Sequence, residues 1–192
     1  MLSERQEQII ETSIKLIAQK GIQGFTIKNL SKAIGISEPA IYRHFESKTQ
    51  ILLTILDGFT EMANILSGLI NNNKLSAVQK ISFMFNKMVE RFEETPSLVS
   101  VIFSEEIFKN EEVLKKKIIK ILNTNEETLE AIIRNGQKVN EIRTDSDEKI
   151  LALMVMGSLR LLVKRWDLNN NKINLKNEGK KLLTAINKVL SK

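Results

Sequence analysis

Only Gly35, Ile36 and Ser37 separate two short segments whose apolar residues recur at spacings of three and four. That gap admits few folds. Glycine takes the left-handed position that stops a helix, and a serine two residues on suits the N-cap of the next. Two short helices joined so tightly form a helix-turn-helix or an ordinary corner of a helical bundle. Similar start and stop signals bracket the pair. Ser3 to Gln6 reads as a capping box that opens a first helix, with Ile10, Ile14 and Ile17 on one face and Gly21 closing it. Thr26 reads as the N-cap of the second helix, with Phe25 and Leu30 spaced as a hydrophobic staple. Ser37 reads as the cap of the third, with Ile36 and Ile41 repeating the staple. Ser47 to Gln50 is a further capping box, opening a long fourth helix towards Asn71.

The spacing of three and four continues through nearly the whole chain, and no stretch alternates with period two, so the fold class is all-α. Eight glycines and two prolines in 192 residues leave few breaks. Two Asn-rich tracts, 71–74 and 169–172, read as interhelical breaks. The expected organisation is an N-terminal domain over 2–62, with its helix-turn-helix at 25–44, and a C-terminal domain over 63–192. With no cysteine, disulfides and thiolate metal sites are excluded. No signal-peptide core and no membrane-spanning apolar stretch is visible, which predicts a cytoplasmic protein with no membrane partner. The net charge of +6 makes a polyanionic partner plausible. Residues 1–62 balance seven basic side chains against seven acids, but between Lys20 and Lys48 there are five bases and two acids. The basic run at 114–120 reads as a solvated helix face.

The third helix carries the distinctive chemistry. Pro39 falls in its first turn, where a backbone N–H has no intrahelical partner, so proline stiffens the turn at little cost. Ile41 and Phe45 face inward, which leaves Glu38, Pro39, Ala40, Tyr42, Arg43 and His44 to cover the rest. A helix in the major groove reads bases with its N-terminal residues. Small Ala40 permits close approach, and Arg43 suits a bidentate contact with guanine or a phosphate clamp. Tyr42 and His44 can donate to phosphates. Glu38 either accepts from a cytosine amine or favours the helix N-terminus electrostatically. Lys28 and Lys48 stand beside the N-termini of helices two and four, whose free N–H groups suit phosphate. Taken singly, each residue also has a structural reading: caps for Thr26, Ser37 and Ser47, packing for Tyr42, half-burial for His44.

The string GFTIKNLSKAIGISEPAIYRHFESKTQIL, residues 24–52, resembles the DNA-binding domain of the TetR family of bacterial transcriptional regulators. The shared marks are Gly-Phe-Thr before the second helix, Leu-x-x-x-x-Gly-Ile-Ser across the turn, Tyr-x-His-Phe ending the third helix and Ser-Lys opening the fourth. The resemblance covers roughly residues 5–55. It implies a homodimer that binds a palindromic operator, usually as a repressor released by a small molecule in the C-terminal domain. By position it implies phosphate contacts for Thr26, Tyr42, His44 and Lys48, and base-proximal places for Ser37, Glu38, Pro39, Ala40 and Arg43. Glu38 and Pro39 depart from the usual base readers.

Beyond residue 63 the resemblance is one of architecture. A helix is expected to end near 140–143, followed by a turn and by a long helix with Asp145 to Glu148 as its capping box. That helix is apolar nearly all round and carries Gly157 and Trp166, so it must be buried on more than one side. A last helix is expected over about 174–190. The family pairs its last two helices with those of a second copy, which implies an interface containing Ile150, Met154, Leu161, Leu182 and Ile186; burial within one subunit is the alternative. Candidate lining of an effector pocket is Phe59, Met62, Phe83, Met84, Met88, Phe92, Phe103, Phe108 and Trp166, side chains that suit an adaptable apolar pocket and an ordinary core alike. Glu105 and Glu106 either meet a cationic ligand or lie on a solvated face.

The expected function is therefore DNA-binding transcriptional regulation, with operator DNA, a second copy and a small-molecule effector as partners, and no cofactor or metal. An architectural or protein-regulated DNA-binding factor is the alternative. An enzyme is not expected. The single histidine lies in the reading helix, no Cys–His pair exists, and no HExxH motif or Walker phosphate loop appears.

Overall fold

The computed structural model describes residues 2–71, 74–103 and 111–192; the side chains of Ser67, Ile70 and Asn71 are excepted. Helices account for nearly all regular structure, and no strand occurs among the described residues. In chain order they are α1 (Glu4–Gly24), α2 (Ile27–Ile34), α3 (Glu38–Tyr42), α4 (Lys48–Asn71), α5 (Ala77–Glu94) and α6 (Ser97–Ile102). After these come α7 (Glu112–Lys138), α8 (Glu148–Leu168) and α9 (Leu175–Leu190). Two compact units emerge, one made of residues 1–61 and 97–120, the other of 62–96 and 121–192.

In the first unit, α1 packs against α2 and α6, and α2 against α3. Ile9, Ile14, Leu16 and Ile17 of α1 are buried with Phe25, Leu30, Ile41 and Phe45. The inward stripe of α1 thus centres on Ile9, with Ile10 only half-buried. Ser3 forms its expected capping box with Gln6. Gly21 has φ +65°, and a short turn continues to Gly24, so Gly21 kinks the helix rather than ending it.

In the second unit, α9 packs on α5 and α8. Gly179 lets α9 approach closely, its missing Cβ lying 3.2 Å from Val89 and 3.6 Å from Phe85. The N-terminus of α5 is closed twice. Ser76 and Gln79 form a capping box, and the Glu141 carboxylate accepts from the N–H groups of Ala77 (2.8 Å) and Val78 (2.9 Å). Gln137 holds the turn after α7 by donating to the carbonyls of Arg143 and Ser146. The cap of α8 differs from expectation. Asp147 accepts from the Lys149 N–H and is the N-cap, whereas Asp145 pairs with Arg143. The guanidinium offers Asp145 a stronger, charge-assisted partner than a backbone amide. At the break after α8, Asn170 and Asn171 adopt left-handed φ of 52° and 59°, a conformation asparagine tolerates well. Of the other Asn tract, Asn72 and Asn73 lie outside the described residues.

Candidate nucleic-acid interface

The helix-turn-helix is built from local signals. Thr26 accepts from the Asn29 N–H at 3.1 Å and caps α2, and Asn29 in turn donates its amide to the Gly24 carbonyl. Gly35 ends α2 with φ +80° and ψ 33°. A side chain there would meet open space, so the requirement for glycine is one of backbone conformation alone. Ser37 holds the N-cap position of α3 but its side chain makes no capping hydrogen bond. The carbonyl of Ser37 accepts from the Ala40 and Ile41 N–H groups instead, and Pro39 has no N–H to offer. The Ser47 signal is half realised. Ser47 accepts from the Gln50 N–H, while the Gln50 side chain reaches past it to the N–H of Glu46.

Burial of Ile41 and Phe45 fixes the inward face of α3. The remaining positions turn out: Ser37, Pro39, Tyr42 and Arg43 are exposed, and Glu38, Ala40 and His44 are half-buried. The Arg43 guanidinium has no hydrogen bond or ion pair among the described residues. Gln6, near the start of α1, donates to the His44 carbonyl at 3.3 Å and ties the far end of α3 to α1. Lys48 sits half-buried at the start of α4 with its ammonium 5.2 Å from the centre of the Phe25 ring. Burial lowers its pKa, and Glu111 opposes the shift. Thr26 and Lys28 are exposed at the start of α2. All ten residues selected from the sequence as DNA contacts lie in the first unit. Gln6, Asn29 and Phe25 place them, a role that residue type alone does not announce.

The other candidates fall in several places. Met62, Phe83, Met84, Met88, Phe92 and Trp166 belong to the second unit, Phe59 and Phe103 to the first, and Phe108 lies outside the described residues with Glu105 and Glu106. Phe92 and Trp166 are buried; Phe59, Met62, Phe83, Met84, Met88 and Phe103 are half-buried. A cleft of about 430 Å³ in the second unit is lined by none of them, but by residues of α5 and α7 such as Lys80 and Ile132 and by flanking residues such as Leu75 and Val139. On α8, Leu151, Ala152, Val155, Val163 and Trp166 are buried, whereas Ile150, Leu153, Met154, Leu161 and Leu168 are exposed. A groove of about 160 Å³ between α8 and α9 includes Met154, Leu182 and Ile186. Among the described residues no cluster of His, Asp or Glu is arranged to hold a metal, and no helix is long and apolar enough to cross a membrane.

The stiffened five-residue α3, its outward Arg43 and the capped α2 in front of it define a helix-turn-helix DNA-binding transcriptional regulator. Residues 9–55 match the bacterial regulatory proteins of the tetR family, and residues 60–188 match the C-terminal region of YsiA-like proteins. The chain belongs to the TetR family. Among curated relatives, it is 30% identical to the nucleoid occlusion factor SlmA of Glaesserella parasuis over 79% of this chain and 75% of that protein. It is 23% identical to the fatty acid metabolism regulator protein of Bacillus subtilis over 88% of this chain and 86% of that one. Two solved structures share its fold. The regulator FadR from Bacillus subtilis, in complex with stearoyl-CoA, superposes with a TM-score of 0.83 at 23% identity, over 96% of this chain and 98% of that chain. The ketosteroid regulator KstR2 of Mycobacterium tuberculosis gives 0.86 at 17% identity, over 100% and 97%.

Proposed function

We propose that this regulator is a homodimeric repressor whose two α3 helices read a palindromic operator and which a small amphipathic molecule releases. The observation that carries the reading is the outward face of α3, where Arg43 is exposed and unpaired among the described residues while Ile41 and Phe45 anchor the opposite face. Residues 2–62 act as the DNA-binding domain, with Arg43, Ala40, Pro39, Glu38 and Ser37 next to bases and Thr26, Lys28, Tyr42, His44 and Lys48 on phosphates. Residues 63–192 act as the effector and dimer domain in the cytoplasm. The exposed apolar face of α8 supports the dimer, because five large aliphatic side chains on one helix face are costly to leave in water. The fatty acid regulator among the relatives and the stearoyl-CoA complex of FadR make a long-chain acyl thioester the first effector to test.

Fluorescence anisotropy with the gene's own upstream DNA and a scrambled duplex, across a salt series, tests the reading. Binding at least about 10³-fold tighter to the upstream DNA supports operator recognition, and stearoyl-CoA should then dissociate that complex. The 30% identity to a nucleoid occlusion factor favours one other reading, an architectural or partner-regulated DNA-binding protein. That reading predicts similar affinity for both duplexes, steep salt dependence on each, and no response to acyl thioesters.

A further inference from the structure

Among the described residues, two buried side-chain polar atoms lack a hydrogen-bond partner, Asn187 Oδ1 and Arg91 Nε. The first belongs to an amide that still donates to Ser82. The second belongs to a guanidinium with no hydrogen bond or ion pair among the described residues. Of the acids close in sequence, Glu94 is exposed and makes no ion pair with Arg91, and the other two are committed elsewhere. Glu90 pairs with Lys87 at 2.7 Å, and Glu93 accepts from the Lys176 N–H at 2.8 Å. The other paired arginines differ: Arg134 meets Glu130 and Glu148, and Arg143 meets Asp145. Arg91 lies in the last turn of α5, where a cation favours the helix C-terminus. That role asks only for proximity to carbonyl groups, and the buried Nε meets none among the described residues.

Met84, Met88 and Arg91 follow one another at i, i+4 and i+7, so they share one face of α5, and all three are half-buried. Phe85 and Val89 occupy a different face, against Gly179 of α9. From Met84 to Arg91 is about 10 Å along the axis. One end of this strip holds a guanidinium with no ion pair among the described residues, a group whose planar fork suits a carboxylate or phosphate. The rest is lined by thioethers, which adapt to apolar chains of varied shape.

We propose that Arg91 anchors the anionic group of an amphipathic effector, a carboxylate or phosphate ester on an aliphatic chain that lies along Met88 and Met84. This rests on the small-molecule-responsive reading and names the chemistry of its ligand. A buried Nε without a partner among the described residues costs stability in the empty protein, and the ligand's anion removes that cost.

The test is calorimetric titration of the full chain with decanoate, decyl phosphate and 1-decanol, for wild type, Arg91→Met and Arg91→Lys. Wild type should bind at least one anion at least tenfold tighter than the alcohol. Arg91→Met should bind the alcohol as wild type does and lose the preference; Arg91→Lys should keep part of it. Thermal unfolding of the unliganded proteins adds a second readout. Arg91→Met should melt at or above the wild-type temperature. An anion preference that survives in Arg91→Met overturns the proposal, as does a lower melting temperature with alcohol binding lost, the mark of a structural arginine. Equal binding of all three probes by wild type removes the role of Arg91 and leaves a ligand-responsive regulator standing. Binding of none, with an operator complex that neither these probes nor stearoyl-CoA moves, removes both.

Discussion

At the scale of single residues, the two proposed kinds of DNA contact by the exposed charges of α2 and α3 predict different losses. Arg43 presents a planar fork from the exposed side of α3, so Arg43→Ala should weaken operator binding by roughly 1–3 kcal/mol and relax the base preference at one position. Lys28 lies in the first turn of α2, and Lys28→Ala should weaken all duplexes alike and reduce the salt slope by about one. Anisotropy titrations on operator and scrambled DNA at several salt concentrations separate the two. Glu141 is a structural charge. Burial alone would raise its pKa, but the Ser76 hydroxyl, the Val78 and Ala77 N–H groups and Lys80 outweigh that and hold it below the ordinary value of 4.5. A carboxyl with a depressed folded pKa adds stability above its unfolded pKa and loses it as pH falls through the folded one. Glu141→Gln should therefore cost about 1 kcal/mol at neutral pH after solvent screening. The gap to wild type should close as pH drops below about 4.5, seen by thermal unfolding across that range. Thr26 as a cap was legible from one residue and its neighbours. The pairing of Glu141 with α5 was not, because its partners lie more than sixty positions away.

At the scale of elements, two glycines are required for different reasons. Gly35→Ala places a Cβ in open space but at φ +80°, so the cost is backbone strain of roughly 1–2 kcal/mol. Gly136→Ala at ordinary φ puts a Cβ 2.7 Å from the Cβ of Ala77 and 2.8 Å from Ile142 Cδ1. That is overpacking between α7, the start of α5 and the following turn, costing about 1–3 kcal/mol. Denaturant unfolding of both variants checks the magnitudes. Operator binding adds a distinction, since Gly35→Ala misplaces α3 directly and should lower affinity beyond its effect on stability. Gly35 was readable because the stop signal sits between two periodic segments. Gly136 sits inside a helical run, and only the approach of Ala77 shows why it is glycine.

At the scale of the whole molecule, the proposed dimer rests on the exposed side of α8. Leu161 is 62% exposed in the single chain and Ile150 55%. Leu161→Glu should turn the dimer into a monomer in sedimentation equilibrium and abolish tight binding to a palindromic duplex, while thermal unfolding still shows a cooperative transition. A variant that stays dimeric and binds as wild type places the interface elsewhere.

The run of apolar residues from Ile150 to Val163 announces a helix in need of cover on more than one side, but not which side its own chain covers. Helix starts, stops and inward stripes are set by interactions over three or four residues, so the all-α class, the capped α2 and the turn into α3 were determined by the sequence alone. So was the division of α3 into an inward pair, Ile41 and Phe45, and an outward face with Arg43, all within nine residues. Tertiary structure alone decided that Asp147 rather than Asp145 caps α8, that Glu141 closes α5, and that Arg91 meets no counter-charge among the described residues. Each of these depends on which distant groups compete for one partner in space, and that competition has no imprint in the spacing of neighbouring residues.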